Sequence, residues 1–305
     1  MATSPSAASK TPAAGGRLCM VTTNFNYGAY LDDCMRSIVN SKGFERVDYV
    51  VMDGGSTDNS VAVIKSHAPK LKHWQSAKDE GMYHAIAEGF TKSDAPYMGW
   101  LNSDDQLTPW TIQTVLDIFD QLPQVRWITS RYPLQARKDG TVIKSDYLPG
   151  VDNWGFFNAE HIKSSGLPTS GWIVQDCTFW RRDLWDEVGA EFDLSLRLAA
   201  DFELWSRFIQ KTDCYVVNVP LGIYRFHGAN KAVTGRDAYR DECLKVLNRH
   251  TPVVPENIEK LGQRVIGKHL KSLGMGHLVD KKWAPPLKTI VFNHGDGRYY
   301  AVDAD

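Results

Sequence analysis

Two hydrophobic periods alternate over residues 17–120 of this chain, and that alternation restricts the fold more than any other feature of its sequence. Apolar runs over Arg17–Thr23, over Val47–Met52 and from Tyr97 onward read as buried strands, with His73-Trp74-Gln75 as a shorter one. Between them, Tyr30–Val39, Asn59–His67 and Gly81–Phe90 carry apolar residues at helical spacing, for example Leu31, Cys34, Met35 and Ile38. Pro109–Phe119 reads as a further helix. Parallel strands need long crossovers, which helices usually supply, so the alternation implies βαβ units and a mainly parallel sheet. Ligands of such sheets bind beyond the carboxyl ends of the strands. The residues that close each apolar run are therefore the first place to look for chemistry.

Those closing residues are acidic. The run from Tyr97 ends in Leu101-Asn102-Ser103-Asp104-Asp105. Adjacent like charges at the end of a buried strand repel each other, by roughly 1 kcal/mol or more at short range. A cation between them or bathing solvent relieves this; the competing reading makes one of them a cap for the helix near Pro109. Val50-Val51-Met52 ends in Asp53-Gly54-Gly55-Ser56-Thr57-Asp58. A carboxylate at a strand tip can accept hydrogen bonds from ribose hydroxyls or a base N–H, and the glycines admit close backbone approach. Asp58 reads as the N-cap of the next helix. No G-x-G-x-x-G and no P-loop is present, so dinucleotide and ATPase motifs are unsupported.

Gly81 opens a helix after Ser76–Glu80, where free backbone N–H groups can face an anion. His84 on that helix reads equally as packed or solvated. In Ala199-Ala200-Asp201-Phe202-Glu203-Leu204-Trp205-Ser206-Arg207 a carboxylate opens an amphipathic helix. Taken alone it fits an N-cap or an ion pair with Arg207.

After residue 120 the pattern changes. Arg126–Ser130 reads as a strand, and Tyr132–Ala136 and Thr141–Ser145 flank an Asp139-Gly140 hairpin signal. Pro149–Ser170 is Gly-, Asn- and Ser-rich and reads as a loop with a short helix. Strands are expected over Ile173–Trp180, Tyr215–Val219 and Leu221–Phe226, and helices over Arg182–Val188, Leu198–Ile209, Asp237–Arg249 and Pro255–Leu273. Lys288–Phe292 and Arg298–Val302 form a closing hairpin in this reading.

Composition sets outer bounds. A net charge of −1 carries no electrostatic footprint of a nucleic-acid binder. No apolar run approaches the ~18–20 residues that span a bilayer. Met1–Gly16 lacks an apolar central region, so it reads as a disordered tail and not a secretory signal. The five cysteines are widely spaced without a C-x-x-C pair, which points to reduced thiols and a cytosolic setting.

The order of motifs closely resembles the inverting glycosyltransferases of family 2. It runs through Thr22-Thr23-Asn24, Asp53–Asp58, Asp79-x-Gly81-x-Tyr83, Leu101–Asp105, Gln175-x-x-Thr178-Phe179-Trp180-Arg181-Arg182, Phe192-Asp193-x-Ser195-Leu196, Asp201-Phe202-Glu203-Leu204-Trp205 and Tyr224-Arg225-x-His227. The resemblance covers residues 17–227. It implies an α/β GT-A fold, with a mainly parallel central sheet flanked by helices. Within it, 17–120 would be the nucleotide-sugar-binding half and 121–227 the acceptor-binding half, followed by a helical and hairpin extension over 228–305.

The resemblance also implies a nucleotide-diphospho-sugar donor, a UDP-sugar foremost, and a divalent metal, Mn²⁺ or Mg²⁺. Asp53 would hold the nucleoside, with Thr22 and Asn24 on the neighbouring strand end and Asp79 lining the donor pocket. Asp104 and Asp105 would hold ribose, metal and diphosphate, with His227 near the metal; which carboxylate ligates the ion stays open. Asp201 would be the catalytic base. Gly54, Asn102 and Ala200 stand where members often carry acidic residues. Trp172, Gln175 and Trp180 are candidates for an acceptor wall, because sugar faces stack on rings; each ring reads equally as core. The acceptor would be a saccharide or a lipid-linked saccharide. A homo-oligomer, and peripheral contact with the inner face of a membrane, are compatible with this. Two alternatives are a sugar-phosphate nucleotidyltransferase and a non-catalytic nucleotide-sugar-binding protein. The first usually has a basic Gly-rich loop after the first strand, where this chain has Asn24-Phe25-Asn26-Tyr27-Gly28.

Overall fold

The computed structural model describes residues 15–157, 173–228, 230, 234–250 and 287–304. The first half follows the expected alternation: β1 (Leu18–Asn24), α1 (Gly28–Val39), β2 (Val47–Asp53), α2 (Ser60–His67), β3 (His73–Ser76), α3 (Met82–Phe90) and β4 (Tyr97–Asn102). Then come β5 (Gln106–Leu107), α4 (Thr111–Gln121), β6 (Trp127–Ser130), β7 (Leu134–Arg137), β8 (Val142–Ser145) and α5 (Asn153–Phe157). The chain continues through β9 (Phe179–Arg181), α6 (Arg182–Glu187), α7 (Ala200–Phe208), β10 (Tyr215–Val217), β11 (Gly222–Phe226), α8 (Arg236–Asn248), β12 (Leu287–Asn293) and β13 (Arg298–Ala304).

The main sheet has the order β13-β12-β10-β6-β9-β4-β1-β2-β3. β1 pairs in parallel with both β2 and β4, and β2 with β3, while β9 runs antiparallel between β4 and β6. Both faces are covered, so the strands read as continuous apolar runs. Leu18 and Met20 of β1 face the layer containing Leu31, Met35 and Ile112. Cys19 and Val21 face the opposite layer, where Trp100, Trp127, Trp180 and Trp205 pack with Phe90 and Phe208. A smaller sheet, β5-β11-β7-β8, covers the carboxyl end of β4. Its pairing of Gly222 with Leu107 brings β11 beside the acidic turn.

Two sequence expectations change. Ile173–Trp180 is not one strand: Gln175–Cys177 is a 3₁₀ turn, and only Phe179–Arg181 is extended. The turn forms because Thr178 bonds back on itself, its N–H to the Gln175 carbonyl (3.0 Å) and its hydroxyl to the Val174 carbonyl (2.7 Å). The expected C-terminal hairpin forms, β12 running antiparallel to β13, and β12 also pairs in parallel with β10, which extends the main sheet. Gly15 and Gly16 lie against the fold, where the Gly16 N–H donates to Asp120 (3.0 Å) and its carbonyl accepts from Arg46. The helix expected over Pro255–Leu273 lies outside the described residues.

Candidate active site

The parallel register sets Asn24 opposite Asp53 and Thr23 opposite Asn102, so the polar ends of β1, β2 and β4 are neighbours. Asp53 is 2% exposed and accepts from Asn24 Nδ2 (2.7 Å), the Ser56 N–H (3.0 Å), Ser56 Oγ (2.5 Å) and Ser76 Oγ (2.6 Å). Burial opposes its charge, but the bonds from Ser56, Ser76 and Asn24 outweigh it and hold the carboxyl below its usual range. Gly55 adopts φ +82°, which permits the turn. Asp79 lies against Gly54, where an added Cβ would sit 3.0 Å from its Oδ2; its Oδ1 accepts the Gly81 N–H (2.9 Å) at the start of α3. Asn24 Oδ1 is buried without a protein partner. Asp58 serves two helices, accepting from the N–H groups of Ser60 (3.0 Å) and Gly28 (2.9 Å).

Thr22, two residues before Asn24 on the same face of β1, is fully buried, and its hydroxyl meets Tyr49 Oη at 3.0 Å.

The acidic turn after β4 is held by residues far away in sequence. Asp105 is 3% exposed, and its Oδ1 accepts the Arg225 N–H (3.0 Å). Burial and the charges of Asp104 and Asp176 push its carboxyl well above the usual range. Asp104 points the other way: its Oδ2 lies 3.1 Å from His227 Nε2 and 3.4 Å from Asn230 Nδ2. The His227 ring stacks on Tyr30 at 4.6 Å and meets Tyr27 edge-on at 5.6 Å. Arg225 is fully buried and donates to the carbonyls of Asp104 (2.5 Å) and Tyr30 (2.8 Å) and to Asp33 (3.0 Å). Neither carboxylate caps α4, whose N-cap is Trp110; the capping reading is overturned. Behind the turn, Asp176 is 4% exposed with Oδ2 unpartnered, and burial raises its pKa. Arg225, Tyr30 and Asp176 were not assigned roles from sequence. Arg225 and Asp176 lie inside motifs the resemblance had flagged, and that was the available signal.

Asp201 sits in the first turn of α7. Its Oδ1 accepts the Phe202 N–H (2.8 Å) and faces the Tyr83 hydroxyl at 3.3 Å. Burial pushes its pKa up to about 6, against the pull of those two donors. The ion pair considered for it does not form: Arg207 binds Glu203 (2.8 Å). At the acceptor candidates, Gln175 bridges β4 and the turn, donating to the Trp100 carbonyl (2.7 Å) and accepting from Asn102 Nδ2 (3.1 Å). Trp180 is a correction. It is fully buried on β9 between Trp100, Trp205 and Phe208, so it is core and not wall. Trp172 lies outside the described residues.

Among the described residues no three His, Cys, Asp or Glu side chains gather into a metal cluster. Asp104 and His227 still converge within 3.1 Å, and Asp105 is turned away. Asp104 and His227 would hold a divalent ion there, the carboxylate supplying a hard oxygen donor and the imidazole a nitrogen donor.

The family model described as Glycosyl transferase family 2 matches residues 19–188, more than half of the chain. Chondroitin synthase of Escherichia coli is 23% identical over 243 residues, covering 78% of this chain but 32% of its own length. The glycosyltransferase alr2836 of Nostoc sp. is 25% identical over 238 residues, covering 75% of this chain and 70% of its own. Among solved structures, S. aureus TarS 1-349 in complex with UDP-GlcNAc superposes with TM-score 0.59 at 12% identity, over 87% of this chain and 77% of that one. The mannosyltransferase PcManGT of Pyrobaculum calidifontis, in complex with GDP-Man and Mn²⁺, gives TM-score 0.50 at 12% identity, over 92% and 85%. The GT-A architecture read from the strand and helix order is the architecture of these structures. With the matched model spanning the acidic strand ends described above, the chain belongs to glycosyl transferase family 2.

Proposed function

We propose that the protein transfers a sugar, with inversion, from a nucleotide-diphospho-sugar to a hydroxyl of a saccharide or lipid-linked saccharide. A UDP-sugar is the first choice of donor, supported by the UDP-GlcNAc held by the TarS structure. The observation that carries the reading is Asp201: a partly buried carboxyl with its pKa near 6, on a helix start, held by a phenol and a backbone N–H. A base with that pKa is mostly ionised at pH 7 yet more proton-hungry than an ordinary aspartate, as general-base catalysis favours. Asp201 takes the proton of the acceptor hydroxyl as its oxygen attacks the anomeric carbon. The bond to the diphosphate breaks on the opposite face, so one carboxylate suffices and no covalent intermediate forms.

Asp104 and His227 would hold a divalent ion, Mn²⁺ or Mg²⁺, which neutralises charge on the departing diphosphate. Asn24 offers the nucleoside a free buried carbonyl oxygen, and Asp79 lines the pocket beside Gly54. Asp53 supports Asn24 and the turn behind them.

Thermal-shift titration with UDP-, GDP- and dTDP-sugars in the presence of Mn²⁺ tests the donor assignment, because a ligand of the native state stabilises it by mass action. Stabilisation by a UDP-sugar that is lost on chelation is the expected result. No shift with any nucleotide sugar would end the reading.

A further inference from the structure

We propose that Glu242, on α8 of the C-terminal extension, is a positioning residue for Asp201: its carboxylate holds the backbone of 197–199 and thereby sets the turn that carries the base. The inference rests on Asp201 being that base. Glu242 Oε1 accepts the Arg197 N–H (3.1 Å), and Oε2 accepts the N–H groups of Leu198 (2.9 Å) and Ala199 (2.8 Å). Three consecutive amides thus converge on one side chain from a different element. Ala199 is the N-cap of α7 and has no side-chain oxygen with which to cap it. Glu242 brings negative charge to that helix start, where the dipole favours it and the bonds are charge-assisted.

The clamp reaches Asp201 by two routes. One is covalent: Ala199 and Ala200 lead directly into Asp201. The other runs through Tyr83, whose single hydroxyl proton is shared between the Leu198 carbonyl (2.7 Å) and Asp201 Oδ1 (3.3 Å). Moving 197–199 therefore moves both the base and the donor that orients it. The matched family region ends at residue 188, so neither Asp201 nor Glu242 falls within it. The groups facing Asp201 are Tyr83 from α3 and Tyr239, Glu242 and Cys243 from α8; Lys245 lies beside Glu242 on its own helix.

The test compares the full-length wild type with Glu242→Gln, Glu242→Ala, Tyr83→Phe and the exposed control Asp241→Asn. UDP release from UDP-GlcNAc with Mn²⁺ is followed across pH, alongside hydrogen exchange of the segment spanning 197–199. Glu242→Gln is expected to lower kcat about tenfold with the donor KM unchanged, the signature of a misplaced group and not of lost binding. Its acid limb should move to lower pH, because a negative charge near Asp201 is gone. Tyr83→Phe should move that limb to higher pH, because a donor to the carboxylate is gone. Exchange at 197–199 should quicken in Glu242→Gln and Glu242→Ala but not in Asp241→Asn. A Glu242→Gln enzyme with wild-type kcat and pH profile would overturn the proposal. If the wild type releases no UDP, the catalytic reading fails by itself, and unchanged exchange in Glu242→Ala would then sink the clamp separately.

Discussion

His227 Nε2 lies 3.1 Å from Asp104 Oδ2 although 123 residues separate the two. The imidazole is gripped between Tyr30 and Tyr27, and Asn230 donates toward the same carboxylate oxygen. In the proposed site a pair held this way would present two ligands at one point. The expected consequence is that His227→Asn weakens Mn²⁺ binding in the presence of UDP by at least about tenfold, since even residues that only support ligands cost that much. Isothermal titration with Mn²⁺ checks it. Unchanged Mn²⁺ affinity in both His227→Asn and Asp104→Asn would move the metal elsewhere.

In the proposed mechanism, Asp201→Asn keeps the shape of the base and removes its basicity. Transfer is expected to fall by about 10²–10⁴-fold, the range for losing a general base, with nucleotide binding retained. Stability gives a second readout. The folded pKa, about 6, lies above the ordinary 3.8, so the ionised carboxylate is a cost to the fold. That cost is complete above pH 6 and vanishes as pH falls below about 4. Asp201→Asn should therefore raise stability by on the order of 2–3 kcal/mol at pH 8 and by nothing near pH 3.5. Urea unfolding at the two pH values measures the difference; a variant less stable at pH 8 would contradict the burial argument.

Local rules made the sheet readable as far as β4. β1, β2 and β4 are largely apolar runs between helices with clear periodicity, β3 is a short edge strand, and each of the four ends in a polar residue. The long-range parts were not readable. Nothing in Phe179-Trp180-Arg181 announces that it slides antiparallel between β4 and β6, which is why Trp180 reads as readily exposed as buried. Asp53 looks like a ligand contact because its three hydroxyl and amide partners are scattered over Asn24, Ser56 and Ser76. Asp105 and Asp104 are chemically identical in sequence; only the arrival of β11 turns one toward the Arg225 backbone and the other toward His227.

The bonds around Asp53 predict a structural phenotype. Its folded pKa is depressed, so its contribution is present above the unfolded value and lost as pH falls through the lower folded one. Asp53→Asn places an amide nitrogen among donors and should cost about 1.5–3 kcal/mol at pH 7, the scale of hydrogen bonds to a charged group. The gap to wild type should close below about pH 4. Denaturant melts across pH test this. A variant of wild-type stability that has lost only UDP affinity would return Asp53 to the role of direct nucleoside contact.

Trp180 supplies the sharpest separation between wall and core. Its ring lies within 5.4–5.8 Å, centroid to centroid, of Trp100, Phe90, Trp205 and Phe208. It also sits on the strand that joins the two halves of the sheet. Trp180→Ala removes a fully buried indole and should destabilise the protein by about 3–5 kcal/mol, the usual range for truncating a core tryptophan. Trp180→Phe keeps most of the contact area and should cost less, at the expense of a cavity beside Trp205. A fully buried ring touches no substrate, so Trp180→Phe enzyme, assayed well below its melting temperature, should keep the wild-type KM for both substrates. A raised acceptor KM in Trp180→Phe without a lowered melting temperature would put the ring back on the sugar.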